Sequence, residues 1–283
     1  KVIAIDRDDF VIEYAQNLKK KFPKRFRFFN KKFSDLDNIT QEKFDCVIFD
    51  LGVSSFQLKN MSRGFSFNSK DKLDMSMGLN SLSAEKALNF LDEKILRNIL
   101  KILGDEQDAS KIAKNIVQSR NLKKIENTQD LVKIIKKNKK KNFNTKINVS
   151  TKTFQAIRIF VNKEITELVN GITKATKKLK PNGKLIIITF HSLEDKIVKF
   201  FFKNFSKNKS ISSRYHPSDE KQFYLFNDYK NRIIRPNDNE ILINPSSRSA
   251  KLRFATRNKE DFFVPKDLFE KFNYILELER THV

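Results

Sequence analysis

The stretch Phe44–Gln57, with the sequence FDCVIFDLGVSSFQ, constrains the fold most strongly. Its first six residues are an apolar run that favours a β-strand, and the run stops at a carboxylate, Asp50. This order is typical of a buried parallel strand whose carboxyl end opens into a ligand-binding crevice. A core strand that leaves through a turn capped by Asp50 explains the run equally well. The side chains of Ser54, Ser55 and Gln57, all in one short loop, favour a binding site.

Short strands and helices alternate in the first sixty residues. Lys1–Ile5 predicts a strand that ends at Asp6, a helix follows, and Arg25–Phe29 predicts a second strand. This alternation is typical of a parallel α/β sheet. An acid at such a strand end commonly binds the ribose of a nucleoside cofactor, so Asp6 is a candidate, with a simple turn as the alternative. A glycine-rich loop is absent upstream, so we expect a missing first strand and loop, or a fragment.

The strand pattern disappears between residues 81 and 147, where amphipathic helices follow one another. We therefore predict a discontinuous α/β domain, residues 1–80 and 148–283, interrupted by an all-helical insert, residues 81–147. The insert ends in the basic run KIIKKNKKKNFNTK, which contains Lys137 and Lys140. Such runs are usually solvated faces, but this one also suits contact with nucleic-acid phosphates.

The second half of the chain predicts one long amphipathic helix from Ser150 to Leu179 and a late antiparallel edge strand, Lys251–Ala255. Between them lies the most apolar strand, Lys184–Phe190, which ends at His191.

His191 is one of only three histidines, and its position at a strand end suggests a functional group. The residues after it, Ser192 and Asp195, have the spacing of a capping box and predict the start of a helix. That pattern accounts for Glu194 and Asp195 as acids that stabilise the helix start. It does not account for His191, for which a hydrogen-bonded structural role is the alternative.

Composition narrows the class of protein. The formal net charge of +23 favours a nucleic-acid partner over a merely basic surface. No apolar run approaches the roughly 20 residues of a membrane span. Cys46 is the single cysteine, which excludes an internal disulfide and a thiolate metal cluster and indicates a reducing, cytoplasmic compartment.

The segment RGFSF combines Arg63 with Phe65 in a loop. An exposed phenylalanine beside an arginine suits stacking on a base. A loop packed against the sheet is the alternative.

Seven stretches of this chain resemble the RsmH (MraW) family. They follow the order of that family along nearly the whole chain: AIDRD at 4–8, DLGVSSFQL at 50–58, RGFSF at 63–67, LDMSM at 73–77, TFQAIRIFVNKEI at 153–165, PNGKLIIITFHSLEDKIVK at 181–199 and NPSSRSAKLR at 244–253.

The resemblance implies a class I, Rossmann-like methyltransferase fold with a helical insert. It implies an enzyme that uses S-adenosylmethionine to methylate the N4 amine of a cytidine in small-subunit (16S) rRNA. The expected partner is an assembled or assembling small ribosomal subunit in the cytoplasm, with no membrane partner and no metal. A homodimer is left open.

The resemblance also assigns roles to residues. It implies cofactor contacts from Asp6, Phe33, Asp50 and Gln57. Catalytic candidates are Asp50, His191, Ser54 and Ser55, and His191 is the freer candidate for accepting the substrate's proton because Asp50 is assigned to the cofactor. Substrate contacts are expected from Arg63, Phe65, Lys137, Lys140, Arg158, Asn162 and Arg248.

Two other functions stay open on the sequence. One is a methyltransferase that acts on DNA or on another RNA. The other is a non-catalytic RNA-binding relative, suggested by the missing glycine-rich loop. Because that loop supplies backbone donors to the cofactor, we expect this chain alone to bind S-adenosylmethionine weakly.

Overall fold

The computed structural model describes residues 1–79, 82–138, 148–207, 223–227 and 229–281, leaving aside the side chain of Ser55. Its strands are β1 (Val2–Asp6), β2 (Phe26–Asn30), β3 (Phe44–Asp50), β4 (Leu179–Thr189) and β5 (Lys251–Thr256). Its helices are α1 (Ile12–Lys21), α2 (Leu36–Ile39), α3 (Ser55–Lys59), α4 (Ala84–Phe90), α5 (Glu93–Gly104), α6 (Ala109–Leu122), α7 (Thr128–Asn138), α8 (Thr151–Asn162), α9 (Glu164–Lys178), α10 (Ser192–Asn204), α11 (Asp238–Ile243) and α12 (Lys266–Arg280). None of these helices is long and apolar enough to cross a membrane.

The chain divides into two compact units. The first unit contains residues 1–32, 53–166 and 274–283, and the second contains residues 33–52 and 167–273. Helices α9 and α12 each begin in one unit and end in the other.

The first unit combines a small parallel sheet with a helical core. Strands β1 and β2 pair in parallel from Val2 opposite Phe26 to Asp6 opposite Asn30. Helix α5 packs on α6 and α8, and its apolar stripe is fully buried: Leu96, Ile99, Leu100 and Leu103. The helices predicted after residue 83 are therefore present, because apolar residues at helical spacing bury one face of each helix.

The second unit holds a three-stranded mixed sheet in the order β3-β4-β5. Strand β4 pairs in parallel with β3 and antiparallel with β5, so the predicted antiparallel edge strand is confirmed. Among the described residues, β1 and β3 are not joined in one sheet. The described strands form two small sheets instead of the single sheet that we expected. Strand β3 is consequently an edge strand rather than a buried one, and Ile48 is 63% exposed.

The helix predicted from Ser150 to Leu179 is two helices. Lys163 adopts a left-handed conformation with φ 50°, which ends α8 and lets α9 begin at Glu164. A lysine in this conformation gives no sequence signal, since glycine is the usual residue there. Leu179, predicted as the last helical contact, is the first residue of β4.

Glu279, near the end of α12, is buried in the first unit and binds the start of α9. Its carboxylate accepts hydrogen bonds from the backbone N–H of Ile165 at 3.1 Å and of Thr166 at 2.7 Å, and from the Thr166 hydroxyl at 2.6 Å. Burial raises the pKa of Glu279 to about 8, against the lowering effect of these hydrogen bonds.

This raised pKa predicts a pH-dependent stability. Between the ordinary pKa of 4.5 and about 8, folded Glu279 keeps its proton while the unfolded chain loses it, so stability falls as pH rises. The contribution is roughly 1.4 kcal/mol per pH unit. Urea unfolding between pH 5 and pH 8 should show that Glu279→Gln removes this slope. The matched control is Glu277→Gln, on the exposed face of α12, which should leave the slope intact. Parallel curves for wild type and Glu279→Gln would contradict the account.

Candidate active site

Two parallel strands of the second unit end side by side. Asp50, the last residue of β3, lies opposite Ile188 of β4, and the N–H of Leu51 donates to the Ile188 carbonyl at 3.1 Å. The chain beyond β4 reaches Phe190 and His191 within three residues. Asp50 and His191 therefore follow adjacent strands at the same edge of the sheet, the position at which ligands bind in parallel α/β proteins.

His191, not Ser192, is the N-cap of α10. Its Nδ1 accepts from the N–H of Glu194 at 3.4 Å, and the Glu194 carboxylate accepts from the N–H of His191 at 3.3 Å. The predicted capping box of Ser192 and Asp195 is thus wrong by one residue. Imidazole nitrogen replaces the usual hydroxyl oxygen, which sequence rules for caps do not anticipate.

The capping role fixes the tautomer of His191. A neutral imidazole that accepts at Nδ1 carries its proton on Nε2. That Nε2 is buried and lies 3.1 Å from a carboxylate oxygen of Glu194, but it makes no hydrogen bond with any described residue. In this tautomer the Nε2 proton lies beside the Glu194 carboxylate, and the acceptor role that the sequence suggested for His191 stays a prediction.

Glu194 is a site residue that the sequence analysis assigned to the helix start alone. Its carboxylate is buried and also accepts from the N–H of Phe190 at 2.9 Å. Asp50 is exposed at the end of β3, but partial desolvation, and secondarily the charge of Glu194, raise its pKa. The two carboxylates are thus close enough to interact, and Asp50 binds a proton more tightly than an ordinary aspartate does. The sequence signal for Glu194 as a site residue was its place as the third residue of a helix that follows directly after a strand.

A cavity of about 260 Å³ lies beside His191 in the second unit. Its wall contains Phe190, His191, Ser192, Arg235, Arg248, Ser249, Ala250 and Lys251. Two arginines, a lysine and a histidine make this wall basic, and no carboxylate lines it among the described residues. Arg248, expected to contact substrate, lies on this wall.

A second polar cluster lies in the first unit around Asp8. The carboxylate of Asp8 accepts from Arg63 Nη1 at 2.6 Å and from the Gln57 amide. Burial alone raises the pKa of Asp8, but the hydrogen bonds from Arg63 and Gln57 outweigh it and hold the pKa below its ordinary value. Gln57 also accepts from the N–H of Ser54 at 2.8 Å, so its side chain joins α3 to Asp8.

Arg63 and Phe65 belong to this cluster and are buried. The Arg63 guanidinium lies 4.6 Å from the ring centre of Phe10 and 5.1 Å from that of Phe65. Phe65 is 6% exposed, so the expectation of an exposed ring that stacks on a base is wrong. Aromatic and ionic partners inside the protein satisfy both side chains, which favours the packed loop that the sequence left as the alternative.

The other cofactor candidates occupy different positions. Asp6 is exposed at the end of β1, where its Oδ1 accepts from the N–H of Asp8 at 2.8 Å. Desolvation, and secondarily the charge of Asp8, raise the pKa of Asp6. Phe33, in the second unit, packs edge-on against Phe49 with ring centres 5.2 Å apart. Ser54 caps α3, and its hydroxyl accepts from the N–H of Gln57 at 3.1 Å.

Two residues expected to contact substrate are committed to the fold. Asn162 is fully buried, donates to the Met75 carbonyl at 2.8 Å and accepts from the N–H of Met77 at 2.8 Å. Its side chain fixes this loop, and its role as a substrate ligand stays a prediction. Arg158 forms a two-pronged ion pair with Glu164, with N–O distances of 2.8 and 2.9 Å.

For three further candidate site residues, Lys137, Ser55 and Lys140, the structure gives no side-chain contact that bears on the predicted role. Lys137 lies in the last turn of α7. Ser55 is the first residue of α3, but its side chain lies outside the described part of the structure. Lys140 also lies outside the described residues.

Comparison with known proteins defines the family. Residues 1–258 match the family model described as the MraW methylase family. The chain belongs to this family and is a methyltransferase, a class of enzyme that requires a methyl donor.

Curated relatives extend the match. The chain is 43% identical over 258 residues to ribosomal RNA small subunit methyltransferase H of Ehrlichia canis, an alignment that covers 89% of this chain and 84% of the relative. It is 42% identical over 262 residues to the Wolbachia protein of the same name, covering 91% and 85%. With the Bartonella henselae protein of that name it shares 41% identity over 269 residues, covering 95% and 78%.

Proposed function

We propose that this protein transfers the methyl group of S-adenosylmethionine to the N4 amine of a cytidine in small-subunit rRNA. The match of residues 1–258 to a methylase family carries this proposal. The name shared by the relatives supplies the substrate, the RNA of the small ribosomal subunit. The net charge of +23 supports a polyanionic partner.

Methyl transfer to N4 requires orientation of the amine, transfer of the methyl group and loss of one proton. Cytosine N4 is a weak nucleophile because its lone pair is delocalised into the ring, so the amine must be oriented. A bond from N4 to carbon forms while the bond from sulfur to that carbon breaks. One N4 proton must then leave to an acceptor. A positioned acceptor contributes typically about 10²–10⁴-fold in rate.

Asp50 is the proposed acceptor. It ends β3, the strand paired with β4, and partial desolvation together with the charge of Glu194 raises its pKa. A raised pKa gives a carboxylate a stronger pull on the departing proton. His191, favoured on the sequence, is proposed instead to donate from Nε2 and hold the base, since its Nδ1 is engaged in the cap.

The cofactor residues fit the nucleoside half of S-adenosylmethionine. When bound, the cofactor supplies an activated methyl group on a sulfonium. In the first unit, the exposed carboxylate of Asp6 is of the kind that binds ribose hydroxyls. In the second unit, the half-buried ring of Phe33 is of the kind that packs on adenine. We propose that Gln57 acts through Asp8 and Ser54, whose positions its side chain fixes, rather than by direct contact.

RNA recognition is proposed for two regions. The first is the insert, residues 81–147, which we propose to recognise the substrate. Its basic run around Lys137 and Lys140 is proposed to contact RNA phosphates. The wall of the cavity with Arg248 holds the target nucleotide. The fold is proposed to be of the class I methyltransferase type.

Gly171 in α9 sets the position of Phe33. A Cβ on Gly171 would lie 2.5 Å from Cδ2 of Phe33, too close for the ring to stay in place. Gly171→Ala favours the helix itself but displaces the ring. We expect the affinity for S-adenosylmethionine to fall roughly fivefold to tenfold, the value of one aromatic contact. Calorimetry measures it, with thermal unfolding as the control for folding. Unchanged affinity in a folded Gly171→Ala protein would exclude Phe33 from the cofactor site.

His191 tests the division of roles. His191→Asn keeps a side chain that caps helices well but removes the Nε2 donor. We expect single-turnover methylation to slow by at least about tenfold while thermal stability stays near wild type. His191→Ala should lose both rate and stability. A wild-type rate in His191→Asn would mean that His191 only caps α10.

The function itself is tested by following isotope-labelled methyl groups. The protein is mixed with labelled S-adenosylmethionine and with assembled small subunits, free small-subunit rRNA or DNA. Label in small-subunit RNA supports the proposal. Label in DNA alone would favour another nucleic acid, and binding of RNA without transfer would favour a non-catalytic relative.

A further inference from the structure

The wall of the basic cavity in the second unit contains two arginines and a lysine. Arg235 and Arg248 lie on its wall, together with the hydroxyl-bearing Ser192 and Ser249. Both arginines are exposed at the surface, so their guanidinium groups are accessible to a ligand. Arg235 had no role in the sequence analysis, because it lies in an irregular segment with no recognisable pattern.

The neighbouring acids have partners other than these two arginines. Asp195 is paired with Arg253 at 2.7 Å and with Lys251 at 3.3 Å. Glu194 is buried and accepts from two backbone N–H groups. Charge on Arg235 and Arg248 is therefore not matched by a carboxylate on the cavity wall. Guanidinium groups without acidic partners are the usual ligands of phosphate oxygens.

One further feature favours an anion at this place. Helix α10 begins at the cavity with Ser192, and the start of a helix carries a partial positive charge. A volume of about 260 Å³ accommodates a phosphate together with part of a nucleoside.

We propose that Arg235 and Arg248 hold a backbone phosphate next to the target cytidine, while the base lies toward His191 and Asp50. This inference rests on the proposed function and adds to it a phosphate subsite and the direction of the nucleotide. The subsite makes the enzyme selective for a nucleotide within a chain over a free nucleoside, because part of the binding energy comes from the phosphate.

The test compares cytidine with 5′-CMP and 3′-CMP in calorimetry. We expect one monophosphate to bind on the order of tenfold more tightly than cytidine, the effect of a charge-assisted hydrogen-bonded pair. Arg235→Gln and Arg248→Gln should each reduce that advantage. Arg232→Gln, an exposed arginine three residues before Arg235 that does not line the cavity, is the matched control.

Three outcomes would overturn the inference. Equal affinity for cytidine and both monophosphates would remove the phosphate subsite. An advantage that survives in both variants would place the phosphate elsewhere. Loss of S-adenosylmethionine affinity in Arg235→Gln or Arg248→Gln would assign these arginines to the cofactor's carboxylate instead. All three leave the proposed methylation untouched, because transfer to rRNA is measured separately.

Discussion

Replacing Asp50 with asparagine should lower the single-turnover rate of methyl transfer by about 10²–10⁴-fold. Asparagine keeps the size and the end of β3 but has no proton affinity to offer the N4 amine. The raised pKa of Asp50, caused by partial desolvation and by Glu194, is the property that the substitution removes. The rate is measured at saturating S-adenosylmethionine, so that a change in cofactor affinity does not enter.

Calorimetry on the same variant separates the two roles of Asp50. An acceptor role predicts slow transfer with near-normal cofactor affinity. The sequence instead assigned Asp50 to the cofactor, which predicts weaker binding. Asp45→Asn, on the exposed part of β3, is the control and should affect neither quantity. A wild-type rate for Asp50→Asn would remove Asp50 from the reaction.

Asp195→Ala should destabilise the protein by about 3–5 kcal/mol. Asp195 binds Arg253, a residue that is 1% exposed and whose guanidinium also donates to the hydroxyl of Tyr229 at 2.6 Å. Burial raises the pKa of Asp195, but the bonds from Arg253 outweigh it and lower that pKa. Removing the carboxylate leaves a buried charge without its counter-ion, which is the costly half of breaking an ion pair.

Urea unfolding of three variants tests this account. Asp45→Ala breaks an exposed pair with Lys180 and should change stability far less than Asp195→Ala does, because water screens the exposed pair. The double variant Asp195→Ala with Arg253→Met removes both charges and should recover much of the loss. If Asp195→Ala and Asp45→Ala cost the same, the buried network does not stabilise β5 against α10.

Local pattern predicted the elements of the chain well. Strand β3 ends at Asp50 as expected, and the apolar stripe that predicted α5 is the buried stripe. Helix α10 begins within one residue of its predicted start. These features depend on neighbours in sequence, on strand runs and on helical spacing, which a single chain displays directly.

Long-range partners were the part that sequence could not supply. Asn162 and Arg63 look like substrate ligands because they are polar residues in distinctive motifs, yet both are buried on partners more than ten residues away. Lys163 breaks a helix without glycine or proline. Glu194 was explained by its helix alone, since its effect on Asp50 depends on two strands lying side by side.

The central claim is methylation of cytidine N4 by the site at the end of β3 and β4. Its most direct test is mass spectrometry of nucleosides from small-subunit rRNA, after incubation of unmethylated subunits with the protein and S-adenosylmethionine. The account predicts N4-methylcytidine at one position, formed by the wild type and almost absent with Asp50→Asn. Methylation of a different atom or base, or equal product from both proteins, would contradict it.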